Sequence, residues 1–221
     1  MRTYVYIDGF NLYYGAVDGT NLKWLDIVKL CRLLLPNDAI ERVHYCTALT
    51  KDTTRDPTKS TRQQMFIRAL ETLPEIQVTY GSFLANKKKM PLAQGNPAET
   101  ADRNIVTLTA GGPRSAVVLR TEEKGSDVNL ATLLVADAFR GDFEAAAVLS
   151  TDSDLALPIK LIRAELGLPV GVLFPDGRYS VELAQAASFK RTIHKSHLRK
   201  CQFPETLTDR NGVITKPARW A

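Results

Sequence analysis

The stretch that decides the fold is TYVYIDGFN at residues 3–11. Its apolar, β-rich part predicts a strand from Thr3 to Asp8. Asp8 closes this strand just before Gly9, where a carboxylate has no helix to cap unless the next segment is helical. The first predicted strand therefore ends in a candidate functional residue.

Similar apolar runs alternate with helix-like segments along most of the chain. Besides the first strand, the pattern predicts strands at 40–47, 76–84, 115–121, 145–150 and 170–174, and helices at 24–35, 59–73, 126–140, 154–166 and 180–188. Parallel strands need crossover connections, so this alternation predicts an α/β fold with a central parallel sheet and helices on both faces. The helix at 127–139 is apolar almost all round, and we expect it to be deeply buried. The irregular stretch at 85–113 is long enough to indicate a functional or mobile loop.

The bulk composition is that of a globular protein of one domain, or of a domain with a short extension. The chain has 221 residues, of which 44% are hydrophobic, and no apolar stretch is long enough to cross a bilayer. Its three cysteines are far apart and form no CxxC pair, which is typical of reduced thiols in the cytoplasm. We therefore expect a soluble, cytoplasmic protein with no membrane partner.

Positive charge is concentrated near the C-terminus. Residues 189–221 carry a net charge of +6, whereas the whole chain carries +5. The sequence thus predicts a domain at 1–188 and a basic extension at 189–221 that packs on it or flanks it. Clustered cations attract polyanions such as RNA, although a solvated basic tail that aids solubility fits the charge equally well.

Four aspartates are predicted at strand ends: Asp8, Asp127, Asp152 and Asp154. In an open parallel sheet, ligands bind in the crevice outside the carboxyl ends of the strands, so we expect these four to converge. Crowded carboxylates raise one another's pKa and need a counter-charge, and oxygen ligands favour Mg²⁺ or Mn²⁺ over zinc. Such a site would support metal-assisted hydrolysis of a phosphodiester.

Each member of this set also has a simpler interpretation. An aspartate at a helix start is often only a cap, which stabilises the helix by about 1 kcal/mol. Asn11 lies one turn beyond Asp8, where its amide would orient a water or a phosphate oxygen or would simply make a turn. Ser150 and Thr151 would bond a metal ligand or a phosphate, or cap the backbone.

Three segments together resemble the signature motifs of the NYN domain family, which belongs to the PIN-like nuclease superfamily. Within the family, the resemblance is to the LabA-like bacterial branch. The three segments are YIDGFN at 6–11, EKGSDV at 123–128 and LSTDSD at 149–154, and the match spans residues 1 to about 175 in the right order. The resemblance implies a three-layer α/β/α PIN-like fold with sheet order 3-2-1-4-5. It also implies a ribonuclease that depends on Mg²⁺ or Mn²⁺ and acts as an endonuclease on structured or single-stranded RNA.

Carried over position by position, the resemblance assigns the residues of this site. It gives Asp8, Asp127, Asp152 and Asp154 as the metal cage and Asn11 as the polar catalytic residue beside it. Asp137 matches a further acid of the family, which would have to be paired if it is buried. Candidate contacts to RNA are Lys124, Arg120, Ser150, Thr151, Arg199 and Lys200. A homo-oligomer is compatible with the sequence.

Other functions fit less well. A phosphatase with an aspartyl nucleophile would carry a second Asp at the position of Phe10, and residues 9–15 lack the GxGxxG of a dinucleotide site. An RNA-binding module with little catalysis would be missing an acid, and none is missing. His194 and His197 lack further ligands for a metal site. Two tryptophans remain: Trp24 is expected in the core, and Trp220 either in the core or stacked on bases.

Overall fold

The computed structural model describes residues 1–54, 56–92 and 112–220. It contains two compact units, one made of Met1–Ser82 with Lys124–Ala221 and the other of Phe83–Glu123. No helix in the described ranges has the length and apolar character needed to span a bilayer.

The strands, in chain order, are β1 (Arg2–Asp8), β2 (Ala39–Thr47), β3 (Ile76–Tyr80), β4 (Ser82–Pro91), β5 (Ser115–Lys124), β6 (Ala145–Leu149), β7 (Val170–Pro175), β8 (Phe189–Ile193), β9 (Thr206–Asp209) and β10 (Gly212–Thr215). The α-helices are α1 (Gly9–Leu12), α2 (Ile27–Leu34), α3 (Lys59–Leu70), α4 (Ser126–Arg140), α5 (Ala156–Leu166), α6 (Val181–Ala186) and α7 (Lys195–Lys200). A π-helical turn at Tyr13–Val17 extends α1, and 3-10 turns lie at Ser153–Leu155 and Ala218–Trp220.

The larger unit is built on a six-stranded sheet in the order β3-β2-β1-β6-β7-β8, in which every neighbouring pair is parallel. Along β1, Val5 and Ile7 enter one hydrophobic cluster with α2, α3 and α7, while Tyr6 enters another with α4, α5 and α6. Both faces of the sheet are thus covered, and all residues of β6 and β7 are buried. The predicted three-layer α/β/α class is confirmed.

The predicted strand order is wrong in detail. The run predicted at 115–121 does not join the sheet; it forms β5, which pairs with β4 in a separate two-stranded sheet. Its place beside β1 is taken by β6, and β7 and β8 follow. The reason lies in its side chains: Arg120, Thr121 and Glu122 follow the apolar half of β5, and a parallel strand that is buried on both faces cannot carry them.

Three segments also have different bounds from those that the sequence predicted. The run predicted at 76–84 is split between β3, in the large sheet, and β4. The predicted loop at 85–113 begins with the rest of β4, and residues 93–111 lie outside the described part of the chain. Residues 189–193, which the charge pattern placed in the C-terminal extension, form the edge strand β8 of the large sheet.

Helix α4 has the predicted bounds, but its environment differs from the prediction. Only one face is buried, at Leu130, Leu134 and Ala138, while Val128 and Phe139 are 68% and 55% exposed. Burial of a helix is set by the faces that its neighbours cover, and here the sheet and α5 cover only part of the surface.

Both tryptophans are in the core. Trp24 precedes α2 and is fully buried, with its indole N–H donating to the carbonyl of Pro204 at 2.7 Å. The ring of Trp220 lies 6.3 Å from that of Trp24. The C-terminal segment is therefore anchored to the sheet unit by apolar contacts, which also include Phe203 and Ile214.

Candidate active site

Asp8 stands at the carboxyl end of the central strand β1, and its side chain is almost wholly buried. Its Oδ1 accepts hydrogen bonds from the backbone N–H groups of Phe10, at 2.9 Å, and Asn11, at 3.0 Å. The carboxylate thus caps α1, so the segment after Asp8 is helical and the simpler interpretation of this residue is also true. Its second oxygen, Oδ2, faces other partners.

Strand register brings the turn after β6 beside Asp8. Ile7 pairs with Leu149, so Asp8 and Ser150 are the next residues on two neighbouring parallel strands. The Ser150 hydroxyl donates to Asp8 Oδ2 at 3.4 Å, and both side chains are buried. The carboxyl ends of β1 and β6 are therefore joined by side chains as well as by the sheet.

Asn11 completes this connection from the other side. Its Nδ2 donates to Asp8 Oδ2, and its Oδ1 accepts from the N–H of Thr151 at 3.2 Å and from the Thr151 hydroxyl at 2.5 Å. Because both ends of the amide are bonded, its orientation is fixed. The predicted residues Asp8, Asn11, Ser150 and Thr151 thus form one connected network.

Asp152 and Asp154 extend the network along the chain. The backbone N–H of Asp152 donates to the Ser150 hydroxyl at 3.1 Å. Asp152 Oδ1 accepts from the N–H of Asp154 at 3.0 Å and so caps the 3-10 turn that leads into α5. Asp152 is half-buried and Asp154 is exposed at the same edge of the sheet.

Asp127 lies in the first turn of α4, at this edge but on the other side of β1. The end of α4 is fixed near the start of β1, where Arg2 donates to the carbonyl of Gly141 at 2.9 Å. Near its beginning, Asn129 donates to the carbonyl of Tyr80, the last residue of β3, at 3.3 Å. The start of α4 therefore lies by the carboxyl ends of β2 and β3. The prediction that Asp127 follows a strand of the main sheet is wrong, because β5 is not part of that sheet.

The ligand atoms at this edge fit a hard divalent cation. The network from Asp8 to Asp152 offers carboxylate, amide and hydroxyl oxygens, and it contains no Cys or His. Among the described residues, no group of three or more His, Cys, Asp or Glu side chains is placed so that it could hold a metal ion. Mg²⁺ is usually held by only one or two carboxylates, together with waters and substrate phosphates.

Comparison with known proteins gives the family. The sequence model that describes the NYN domain family matches residues 2–194. The chain belongs to the NYN domain family. This family is part of the PIN-like nuclease superfamily, as the three sequence motifs indicated.

Two further matches are informative. The 6-hydroxy-3-succinoylpyridine 3-monooxygenase HspA of Pseudomonas putida is 29% identical over 244 residues, which cover 100% of this chain and 75% of that protein. A crystal structure of a protein of unknown function from Vibrio parahaemolyticus superposes with a TM-score of 0.52 at 13% identity, over 88% of this chain and 93% of that one. The second match shows the fold alone.

The other acid that the NYN motifs pointed to, Asp137, is buried and paired. It accepts from the Tyr6 hydroxyl at 2.8 Å, lies 3.0 Å from His44 Nε2 and accepts from Arg140 at 3.4 Å. The Tyr6 and His44 rings stack with their centroids 4.9 Å apart. Asp137 is thus held by β1, β2 and its own helix, as the cost of burying a carboxylate demands.

The four predicted cationic residues all have exposed side chains. Lys124 and Arg120 are exposed on β5, and Arg120 pairs with Glu122 at 2.6 Å. Arg199 and Lys200 are exposed in the last turn of α7, a helix that packs against α2.

The His194–His197 pair forms a capping box at the start of α7, and His194 lies 3.3 Å from Asp176. The two side chains thus stabilise the start of α7.

Two features of the NYN unit were not predicted. One is the buried group formed by Tyr6, His44 and Asp137. Its signal in the sequence was the position of Tyr6, two residues before Asp8 and therefore on the same face of β1. The other is a cleft beside Gly9 that is lined by aromatic and cationic side chains from distant parts of the chain, among them Tyr14, Lys59 and Trp220. Distance in sequence hides such a set, and the closely spaced Phe10, Tyr13 and Tyr14 were its one local signal.

His44 makes the stability of the protein depend on pH. Burial lowers its pKa below the ordinary value of 6.5, and this effect outweighs the attraction of Asp137. Its Nδ1 is buried and has no hydrogen-bond partner among the described residues. The unfolded chain therefore binds a proton more readily, and stability is lost as the pH falls below 6.5.

We expect the free energy of unfolding of the wild type to fall more between pH 7.5 and 5.5 than that of His44→Gln does. The glutamine keeps a donor for Asp137 but does not titrate. Urea denaturation at both pH values measures the difference, and His194→Gln, an exposed histidine, is the matched control. An equal loss of stability in wild type and His44→Gln would contradict this account.

Proposed function

We propose that this NYN protein is a ribonuclease that hydrolyses RNA phosphodiester bonds at a Mg²⁺ or Mn²⁺ site. The observation that carries the proposal is the connected network in which Asn11, Ser150 and Thr151 fix the buried carboxylate of Asp8 at the sheet edge. Residues of two family motifs, distant in sequence, meet there at hydrogen-bond distance. Metal ligation is assigned to Asp8, Asp127, Asp152 and Asp154.

The bound cation would neutralise charge on the phosphate and lower the pKa of a water molecule. Asp8 is assigned a ligand role; because its Oδ2 already accepts from Asn11 and Ser150, the cation would have to replace at least one of these donors. Asp152 and Asp154 stand at a helix start, where backbone N–H groups and the helix dipole stabilise negative charge without a metal.

The two hydroxyl groups of the network are assigned a positioning role. A hydroxyl has one proton, and those of Ser150 and Thr151 are donated to Asp8 and Asn11. A phosphate oxygen, which only accepts hydrogen bonds, would have to displace these partners. The exposed cations Lys124, Arg199 and Lys200 are better suited to contact phosphates.

Asp8→Asn and Asp152→Asn are each expected to lower Mg²⁺- or Mn²⁺-dependent cleavage of RNA by about 100-fold or more, because each removes charge from the metal site. The readout is cleavage of labelled single-stranded and hairpin RNA, with EDTA as the blank. Asp38→Asn is the matched control, since Asp38 directly precedes β2 at the opposite edge of the sheet. Equal activity of wild type and both site variants would mean that cleavage comes from a contaminant.

The basic α7 is proposed to hold the RNA. Truncation is a poor test, because Phe203, Ile214 and Trp220 belong to the core and their removal would disturb folding. Single charge removals avoid this problem.

Arg199→Gln and Lys200→Gln are each expected to weaken binding of single-stranded RNA and to reduce the slope of log K against log salt by roughly 0.7. Filter binding or fluorescence anisotropy at several salt concentrations measures both quantities. Lys160→Gln, an exposed cation on α5, should leave the slope unchanged. Unchanged slopes in the α7 variants would leave this helix with a structural role.

A second candidate function is oxidation of a small aromatic compound. It is favoured by the match to the P. putida monooxygenase, which covers the whole of this chain. Uptake of O₂ with 6-hydroxy-3-succinoylpyridine and a reductant such as NADH, unaffected by Asp8→Asn, would favour oxygenation over hydrolysis.

A further inference from the structure

A cleft that is open to solvent lies in the larger unit beside the end of β1. We call it the aromatic cleft, after its six rings: Phe10, Tyr13, Tyr14, Tyr45, Phe66 and Trp220. Its lining resembles that of small-molecule sites, which consists mainly of apolar and aromatic side chains with a few polar groups. Nothing in the proposed hydrolysis uses this cleft.

The rings come from two separate groups of elements. Phe10, Tyr13 and Tyr14 lie on α1 and the π-helical turn, where Phe10 and Tyr14 are nearly parallel at 16° with centroids 6.3 Å apart. Phe66 on α3 meets Tyr45 and Trp220 edge to face, with centroid distances of 6.3 and 6.1 Å. Rings held by one another in this way offer a rigid surface for a planar aromatic ligand.

The charged lining of the cleft has a single sign. Its charged residues are Lys23, Lys59 and Arg62, and no Asp or Glu is among the lining residues that the structure describes. Lys23 pairs with Asp18 at 3.4 Å, and Arg62 pairs with Asp56. These acids neutralise part of the charge and hold the two cations in place.

One cation of the lining has no partner in the described part of the chain, and a second has one N–H that makes no hydrogen bond there. Lys59, at the start of α3, makes no hydrogen bond or ion pair there. The Nε of Arg62 is buried and makes no hydrogen bond. A buried donor without a partner is costly, so a ligand acceptor at this place would be stabilising.

The cleft lies next to the candidate active site. Gly9, which follows Asp8, is one of its lining residues, and the backbone there runs close to Tyr45: a Cβ on Gly9 would lie 2.8 Å from the Tyr45 hydroxyl. A ligand in the cleft would therefore be separated from the Asp8 carboxylate by little more than the α1 backbone.

From these observations we propose that the aromatic cleft binds a planar aromatic ring that carries an anionic group. The ring would stack among the tyrosine and phenylalanine side chains, and the anion would be held by Lys59 and Arg62. Such chemistry has two sources, a nucleotide of a nucleic acid and a free aromatic acid. The site does not depend on hydrolysis at Asp8, so it would remain if the proposed ribonuclease activity were not found.

Binding is measured by isothermal titration calorimetry on the full chain in EDTA, which keeps it separate from any metal-dependent reaction. Adenosine 5′-monophosphate and pyridine-3-carboxylate are the probes, because each carries both an aromatic ring and an anionic group. Adenosine lacks the charge, and inorganic phosphate and cyclohexanecarboxylate lack the aromatic ring. At least one of the first two is expected to bind at least about 10-fold more tightly than its own matched partners, a difference of about 1.4 kcal/mol.

Substitutions locate the site. Tyr14→Ala and Lys59→Gln should each lower the affinity for the probe that binds by about 10-fold. The stacking of one base and one charged contact each contribute a free energy of about this size. The matched controls are Tyr179→Ala, a similarly exposed tyrosine outside the cleft, and Lys160→Gln. Both controls should bind as the wild type does.

The outcomes separate the sources. Tighter binding of the nucleotide, with competition by short RNA, identifies a nucleotide subsite; tighter binding of the pyridine acid identifies a site for an aromatic acid. Absence of binding by both probes overturns the proposal. So does a result in which neither probe binds more tightly than its own matched partners, or an equal loss in the control variants. If the wild type does not cleave RNA but binds one of the probes in the cleft, only the proposed ribonuclease activity is overturned.

Discussion

The rest of the structure depends on the buried carboxylate of Asp8. A charge with so little exposure is stable only when its oxygens are bonded, and here two backbone N–H groups, one amide and one hydroxyl bond them. These donors belong to α1 and to the turn after β6. One side chain therefore caps a helix, joins two strand ends and places three polar residues around a single point.

The same strand end separates two environments. On one side, the turns after β1 and β6 present oxygen atoms and negative charge, with α4 starting near β2 and β3. On the other, α1, its π-helical turn and α3 surround the aromatic cleft, whose charged groups are positive. An anion with an aromatic ring is attracted to the second environment, whereas a cation is attracted to the first. The α1 backbone, only one turn long, is the boundary between them.

Polar groups also occur within the core, away from the edge. Tyr6, His44 and Asp137 join β1, β2 and α4 through hydrogen bonds in a region that apolar side chains otherwise fill. Burial raises the pKa of Tyr6 above its ordinary value and lowers that of His44, so both stay neutral beside the carboxylate near neutral pH. Removal of one partner from this group would leave a buried charge unpaired, which is strongly destabilising.

The sequence by itself determined the fold class, the bounds of α4, and the placement of Asp8, Asn11, Ser150 and Thr151 just past strand ends. These follow from local pattern, because apolar runs become parallel strands and the polar residues after them stand at their carboxyl ends. The pairing of β1 with β6, which brings Asp8 to Ser150, was decided by the tertiary structure. Only the tertiary structure decided that β5 leaves the sheet, that Asp127 starts a helix near β3, and that Trp220 closes a cleft with Tyr14 and Lys59. These depend on which surfaces are covered and on contacts between residues far apart in the chain, and local pattern carries no information about either.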